Sequence, residues 1–467
     1  MGASPAVFAR RDVPEELRRR LSRLFDGMMH ALFRQRGSQF SVDIVASPDA
    51  VAFISEHAAA LDSSFEQVPM SDAMRRRLSR SNFIFSGMKA FHEMHEAFPS
   101  LVDENGVRKP FERFLNDVRA IDKTYNANYL RAEYNFVSAS ADMAAKWERF
   151  AQDGDRYNLQ YRTAGDGRVR PEHAALDGVT LPPSDSFWQE FYPPNGWNCR
   201  CNVIQVRKSK YPITPHDEAM RRGNEALAKD TRGIFRFNPG CEQKSVPDYN
   251  PYTIRSCNTC PIAKGNKGAF ARFVPNNEVC AACVLVRSSR RCLNMELYDR
   301  LAANPDYRDV VMDKTTGGVK GIHKGHIIHS SSKEPTFFAE KLTSTDLELI
   351  CQDILYRKGY SCILENETQL DAVGLQLPQL DSSTNGEYMD IRAITEFGRY
   401  TIRNALKAKK KQLKNFNRKT GADSHSVILY FHDASMFDES QIAPQLGNTL
   451  HKVICVFKDG TIRTYKK

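Results

Sequence analysis

Apolar positions recur at helical spacing through most of the first ~150 residues. Between residues 13 and 35 leucines and phenylalanines return every three or four positions among arginines, and residues 48–61 and 72–98 repeat the pattern. Each stretch predicts an amphipathic helix. Residues 126–151, NANYLRAEYNFVSASADMAAKWERFA, predict another long one, with Tyr134, Phe136, Ala141 and Trp147 turned to a core. After Gln160 the period breaks. Gly165, Gly167, Gly178 and Gly196, with Pro182, Pro183, Pro193 and Pro194, cut residues 162–201 into turns and short strands. Residues 207–256 are polar and punctuated by prolines, as expected of chain that drapes over a surface between domains.

The pattern changes again from Phe337. Residues 345–358 predict a helix carrying Leu347, Ile350, Cys351, Ile354 and Leu355 on one face, with Thr345 and Glu348 as a capping box. Tyr360 to Leu364 and Glu387 to Ile394 read as strands, and Asn385-Gly386 as the hairpin turn before the second. Tyr400 to Phe416 reads as a helix with Ile402, Ala405, Leu406, Leu413 and Phe416 buried, and Val427 to Phe431 as a fully buried strand. Residues 296–320 read as a helix followed by a turn-rich connector.

Length and charge narrow the function classes. At 467 residues the chain exceeds what one core holds, so several domains are expected. It has neither an apolar run of membrane-spanning length nor a signal-peptide pattern, and a soluble protein is expected. The net charge of +10 favours a polyanionic partner. The arginines at 18–20 and 75–77 fit a solvated helix face better than a nucleic-acid patch.

The eleven cysteines are clustered, which without a secretion signal argues for metal over disulfides. Cys257-x-x-Cys260 and Cys280-x-x-Cys283, nineteen residues apart, match the spacing of a zinc ribbon or treble clef, in which four thiolates hold a structural zinc and staple a segment too short for its own core. Lys264, Lys267, Arg272, Arg287, Arg290 and Arg291 make this module basic. Cys199 and Cys201 present their thiols on one side of an extended chain. With His173 and Asp166 they allow a metal site, against a structural reading in which Asp166 and Asp177 cap turns while Trp188 and Trp197 pack the segment. His323, His326 and His329 fit either a metal or phosphate site or a linker surface. Cys351, Cys362 and Cys455 lie in apolar segments and are expected as core thiols.

Tyr161-Arg162, Asp166, Arg168, Arg170, His173, Asp177-Gly178, Phe187-Trp188, Tyr192-Pro193-Pro194-Asn195 and Cys199-Arg200-Cys201 form a long ordered series. It resembles the phage Mu F-type head morphogenesis family, over about residues 30–240, ending in Phe235-Arg236-Phe237-Asn238-Pro239-Gly240. The resemblance implies a minor head protein, found in the procapsid or virion and then in the host cytoplasm, with portal or capsid proteins as partners.

In Met389-Asp390-Ile391-Arg392 the acid and the arginine share one side of a strand. With the order helix, strands, helix, strand, this resembles the PD-(D/E)xK nuclease fold, in particular tRNase toxin domains of the contact-dependent inhibition type. The resemblance implies a catalytic set of Asp381, Asp390, Arg392 and Glu365, with Mg²⁺ held by Asp381 and Asp390. Asp371 rivals Asp381, and Glu340 or Glu348 rivals Glu365. Arg392 stands where that family carries lysine. The following helix has an unmixed basic face, and Arg399, Arg403, Lys407, Lys410, Lys411, Gln412 and Lys414 are expected to bind nucleic acid.

The expected fold class is thus multidomain α+β. A mainly helical N-terminal region of the head-protein body covers 1–140 and the Mu F-like signature region 141–240. A Cys-rich zinc module (241–295), a connector (296–330) and an α/β nuclease-like domain (331–467) follow. The expected function is a phage minor head protein carrying a metal-dependent endonuclease, acting on RNA or tRNA in preference to DNA, with an immunity protein as a further partner. The alternative is a purely structural virion protein whose zinc module and inactive nuclease-like tail bind nucleic acid or capsid partners.

Overall fold

Helix α1 (Glu15–Arg34) buries Leu21, Phe25, Met28 and Leu32, a single stripe at the spacing seen in the sequence. Helices α2 (Pro48–Ser63) and α3 (Asp72–Ala97) start at serines. Ser47 Oγ accepts from Ala50 N at 3.3 Å and Ser71 Oγ from Met74 N at 3.1 Å, each satisfying a donor that a first turn leaves open. Short helices α4 (Phe111–Asp117) and α5 (Arg119–Asp122) and a wide helical turn over Lys123–Tyr129 lead into α6 (Leu130–Asp153). The computed structural model describes residues 12–254, 257, 260, 276–313, 315–326, 335–369 and 377–467. The chain divides into two compact units, Met1–Ser289 and Arg290–Lys467.

The helices of the first unit enclose a polar network. Lys89 Nζ donates to Glu133 Oε2 at 2.7 Å and to Tyr125 O at 2.9 Å, while Tyr252 OH donates to Glu133 Oε1 at 2.6 Å. His57 and Glu93 are buried beside them, and Glu93 accepts from Asn126 Nδ2 at 3.1 Å. Charges this deep persist only with such partners.

After α6 the unit becomes irregular: β1 (Asn158–Arg162), α7 (Pro171–Ala174), β2 (Thr180–Leu181), α8 (Phe187–Phe191), β3 (Asn202–Val206), α9 (His216–Ala226), α10 (Pro239–Glu242) and α11 (Asn276–Arg287). Strand β1 is central and antiparallel to both neighbours, with Gln160 opposite Thr180 on one side and Ile204 on the other. Leu159, Tyr161, Trp188, Phe191 and Tyr192 form its core, and Trp188 Nε1 donates to Pro182 O at 3.0 Å. Asp177 Oδ1 accepts from Thr163 N at 2.8 Å and Asp166 Oδ1 from Arg168 N at 3.1 Å, so both acids do cap turns.

The second unit contains α12 (Arg290–Ala302), β4 (Tyr307–Met312), β5 (Val319–His323), α13 (Ser344–Arg357), β6 (Ser361–Leu364), β7 (Ser382–Thr384), β8 (Glu387–Ile394), α14 (Thr401–Thr420), β9 (Ser426–Phe431), β10 (Lys452–Phe457) and β11 (Ile462–Lys466). Its eight-stranded mixed sheet has the order β11-β10-β9-β8-β7-β6-β5-β4. Strands β8, β9 and β10 run parallel, as do β5 and β6. The stretch read as a connector thus supplies two sheet strands. Asn385 (φ 50°) and Gly386 (φ 82°) make the tight turn between β7 and β8, where both central residues need positive φ.

Alternation along the strands sends α13 and α14 to opposite faces. Met389, Ile391, Ile428, Tyr430 and Ile454 pack with Leu347, Cys351 and Leu355 of α13; Ile394, Val427, Leu429, Val453 and Cys455 pack with Ile402, Leu406 and Leu413 of α14. Asp390 therefore falls on the α14 face. The capping box of α13 is Thr343 with Asp346, not Thr345 with Glu348: Asp346 N donates to Thr343 Oγ1 at 3.2 Å and Thr343 N to Asp346 Oδ2 at 2.7 Å. Glu348, two residues further along, pairs with His326.

Candidate functional site

Two groups of side chains in the described residues have chemistry to offer, one in each unit. In the first, His173 on α7 meets the thiols of Cys199 and Cys201, which lie just before β3. Both Sγ atoms are 3.7 Å from His173 Nδ1, and all three residues are buried. Among the described residues this is the group of three potential ligands whose donor atoms all lie within 4.8 Å of one another. The thiols are coupled. The hydrogen bond with Cys201, helped by His173, holds Cys199 well below the usual thiol range against the effect of burial, while Cys199 and burial push Cys201 up. Asp166 is not part of the group, because Arg200 takes both of its oxygens at 2.6 Å.

In the second unit, Asp390 is fully buried. Its Oδ1 accepts from Gln412 Nε2 at 2.8 Å, and the Lys409 ammonium forms an ion pair with Oδ2, though without hydrogen-bond alignment. Both partners come from α14. Asp381, just before β7, accepts from Ile391 N at 2.8 Å through Oδ2. Burial, then Asp390, then Glu348 push the Asp381 carboxyl well above the usual range, with Lys409 opposing. Asp381 thus lies within electrostatic reach of Asp390, Glu348 and Lys409, and Lys409 pairs with Asp390.

The structure brings together Asp381, Asp390 and Gln412 of the sequence-predicted residues, with Glu348, the rival of Glu365, within electrostatic reach of Asp381, and adds Lys409. Arg392 shares the strand face of Asp390 but is exposed, and among the described residues it is Lys409 that pairs with Asp390. The Glu365 carboxylate is held by Tyr307 OH at 2.8 Å, and burial raises its pKa. His326, buried, lies between Glu348 Oε2 (3.5 Å) and Glu367 Oε2 (3.3 Å), partners that raise its pKa against the effect of burial. Glu340 pairs with His432 and Lys458 instead. Asp371, His329, Lys264, Lys267 and Arg272 lie outside the described residues.

Helix α14 presents the expected basic face. Lys407, Lys411 and Lys414 are exposed, Lys410 donates to Gln445 O at 3.1 Å, and Arg399 and Arg403 stack over the Tyr400 ring at 5.5 and 4.2 Å. Lys411, Lys414, Asn415 and Arg418 line a shallow groove along this face that reaches Gln412. Of the predicted zinc thiols, Cys280 and Cys283 sit on α11. Burial raises the Cys257 pKa to about 11, with smaller contributions from Cys283, Cys260 and Cys280. Cys351, Cys362 and Cys455 are buried core thiols, and no helix among the described residues is long and apolar enough to cross a membrane.

Residues 106–204, which include β1, β2, the first residues of β3 and the His173, Cys199 and Cys201 group, match the family model described as phage Mu protein F like protein. The match is shorter than the 30–240 span of the resemblance read in the sequence. A capsid assembly protein F of Escherichia phage Mu is 38% identical over 107 residues, 22% of this chain and 21% of that protein. The FluMu F protein of a Mu-like prophage in Haemophilus influenzae is 33% identical over 94 residues, 18% of this chain and 23% of that protein. The chain therefore spans between a fifth and a quarter of the length of these relatives. No solved structure matches it.

Proposed function

We propose that the chain is a phage head morphogenesis protein whose second unit is a metal-dependent nuclease acting on RNA, with tRNA the favoured substrate. The first part rests on the match of residues 106–204 to the Mu F-like family and on relatives named for capsid assembly, which make portal or capsid proteins the partners of this region. The second rests on one observation: buried Asp390 pairs with Lys409 and Gln412 of a strongly basic helix, with the Asp381 carboxyl close enough to feel both Asp390 and Lys409.

The donor set fits a hard divalent cation such as Mg²⁺. Burial first, then the Asp390 and Glu348 carboxylates, hold the Asp381 carboxyl up, and a carboxylate-bound cation would relieve it. When bound, Mg²⁺ supplies a polarised water and neutralises charge on the scissile phosphate. The chain's own residues do the rest. Gln412 fixes the orientation of Asp390, Lys409 places a positive charge where the phosphate gains negative charge, and the exposed lysines of α14 hold the backbone on either side. Lys409 also answers the absence of lysine at position 392, which had favoured an inactive, purely structural tail. A self-toxic nuclease calls for an acidic inhibitor, the immunity partner of this reading. The four thiols Cys257, Cys260, Cys280 and Cys283 are proposed to hold a structural zinc on the spacing of their two C-x-x-C pairs, although among the described residues no three of them lie within ligand distance of one another.

The test is to incubate the purified full chain with tRNA, total RNA and plasmid DNA, with Mg²⁺ or with a chelator. Cleavage of RNA that the chelator abolishes is expected. A chain that binds nucleic acid but leaves all three substrates intact contradicts the enzyme reading.

A further inference from the structure

We infer that His173, Cys199 and Cys201 form a metal site in the Mu F-like segment, separate from the proposed nuclease centre and from the four-thiol cluster, and that it takes one Zn²⁺. The donors are one imidazole nitrogen and two thiolates, a borderline-soft set that suits zinc and not magnesium. Their geometry is already that of a site: both sulfurs are 3.7 Å from the same ring nitrogen, a spacing that neighbouring ligands of one tetrahedral ion adopt when each is bound at ~2.0–2.3 Å. All three are buried, so the site lies out of bulk water.

The neighbours hold the ligands in place. Arg170, just before α7, donates through Nη2 to Trp197 O at 2.6 Å, and Arg200, between the two cysteines, grips Asp166. The two contacts fix the loop bearing His173 to the loop bearing the thiols even without an ion. Among the described residues no further His, Cys, Asp or Glu joins the group, and Asp166 is occupied by Arg200. The three residues also line a narrow cleft with Ala164, Arg168, Arg170, Asn198 and Arg200, which would leave a fourth position for water or for a ligand brought by a partner. Binding of Zn²⁺ to the two thiols and the neutral imidazole releases the thiol protons still present, two at most, to solvent, with no change of oxidation state.

The role of the ion is to staple α7 to the approach of β3. The turn-rich stretch between β1 and β3 has few backbone ladder bonds, and a metal cross-link between residues 173 and 199–201 restrains it as a disulfide would.

The experiment measures zinc per full-length chain by mass spectrometry, with melting temperature as the check on folding. Cys199→Ser/Cys201→Ser is expected to lower the zinc content by one ion per chain, whether or not the four-thiol cluster also binds. His173→Ala is expected to do the same, and His173→Cys to retain the ion. Should these variants fail to fold, X-ray absorption of the wild-type chain decides. The inference requires a nitrogen scatterer at ~2.0–2.1 Å beside sulfur at ~2.3 Å. A folded wild-type chain without zinc, a shell of sulfur alone, or folded variants with unchanged zinc content overturns it. None of these outcomes bears on nucleic-acid cleavage.

Discussion

Lys409 of α14 pairs with Asp390 of β8, so the cation at the carboxylate cluster of the second unit comes from a helix and not from the strand that carries the acid. Arg392, two positions along the strand, is left at the surface. The exchange matters chemically: an ammonium is a compact charge that fits beside a carboxylate in a small enclosed space, whereas a guanidinium is broad and planar.

The groove along α14 predicts how binding depends on salt. Lys411 and Lys414 line it and are exposed, so each is expected to displace one condensed counterion from a bound RNA. Lys411→Ala/Lys414→Ala should reduce the slope of log K against log salt by roughly 1.4 to 1.8 while leaving the fold intact. Fluorescence anisotropy with labelled RNA between low and moderate salt measures it, and an unchanged slope places the RNA elsewhere.

Buried Glu93 predicts a pH dependence in the helical unit. Burial raises its pKa from 4.5 to about 8, so the folded state keeps a proton that the unfolded state loses from about 4.5 upward, and stability falls as pH rises through that window. His57 acts oppositely. Burial and Lys89 lower its pKa from 6.5 to about 4, and its contribution is lost as pH falls from 6.5 towards 4. The window that isolates Glu93 is therefore pH 6.5 to 8. There the stability of Glu93→Gln relative to wild type should improve by on the order of 1–2 kcal/mol, read by urea unfolding. A constant difference across the window contradicts the protonated assignment.

Gly318 enters β5 against the backbone of α13. A Cβ at this position would meet the Tyr356 carbonyl oxygen, with Tyr360 O 3.2 Å away, and neither is the end of a flexible side chain. Gly318→Ala is expected to destabilise the second unit by about 1–3 kcal/mol, which lowers its melting temperature by several degrees. A melting temperature equal to wild type would show that the strand entry relaxes freely.

The regular elements were legible because their apolar period is strong. Helices α1 to α3 and α6, strand β8 and helix α14 lie within a few residues of their expected bounds. Strands β4 and β5 were not: β4 is an edge strand with no buried residue, and its charged Arg308-Asp309 breaks the apolar pattern before Val310-Val311-Met312. The capping box of α13 was displaced by two residues, as Thr343 and Thr345 are each followed three residues later by an acid. In the candidate site, the acids were visible through their spacing, but Lys409 was hidden in a run of lysines. A signal was present: residues 402, 406, 409, 413 and 416 form one stripe at helical spacing, and 409 is its polar member. A lysine in the register of a buried stripe needs a buried partner, and Asp390 is that partner.

The most direct test of the central claim compares two single substitutions in RNA cleavage by the full-length chain with Mg²⁺. The account predicts that Lys409→Ala lowers the rate by about 10²-fold or more, while Arg392→Ala stays within a few-fold of wild type, both variants remaining folded. If Arg392→Ala abolishes cleavage and Lys409→Ala does not, the cation has been assigned to the wrong residue. If the wild-type chain cleaves nothing, the second unit is not a nuclease.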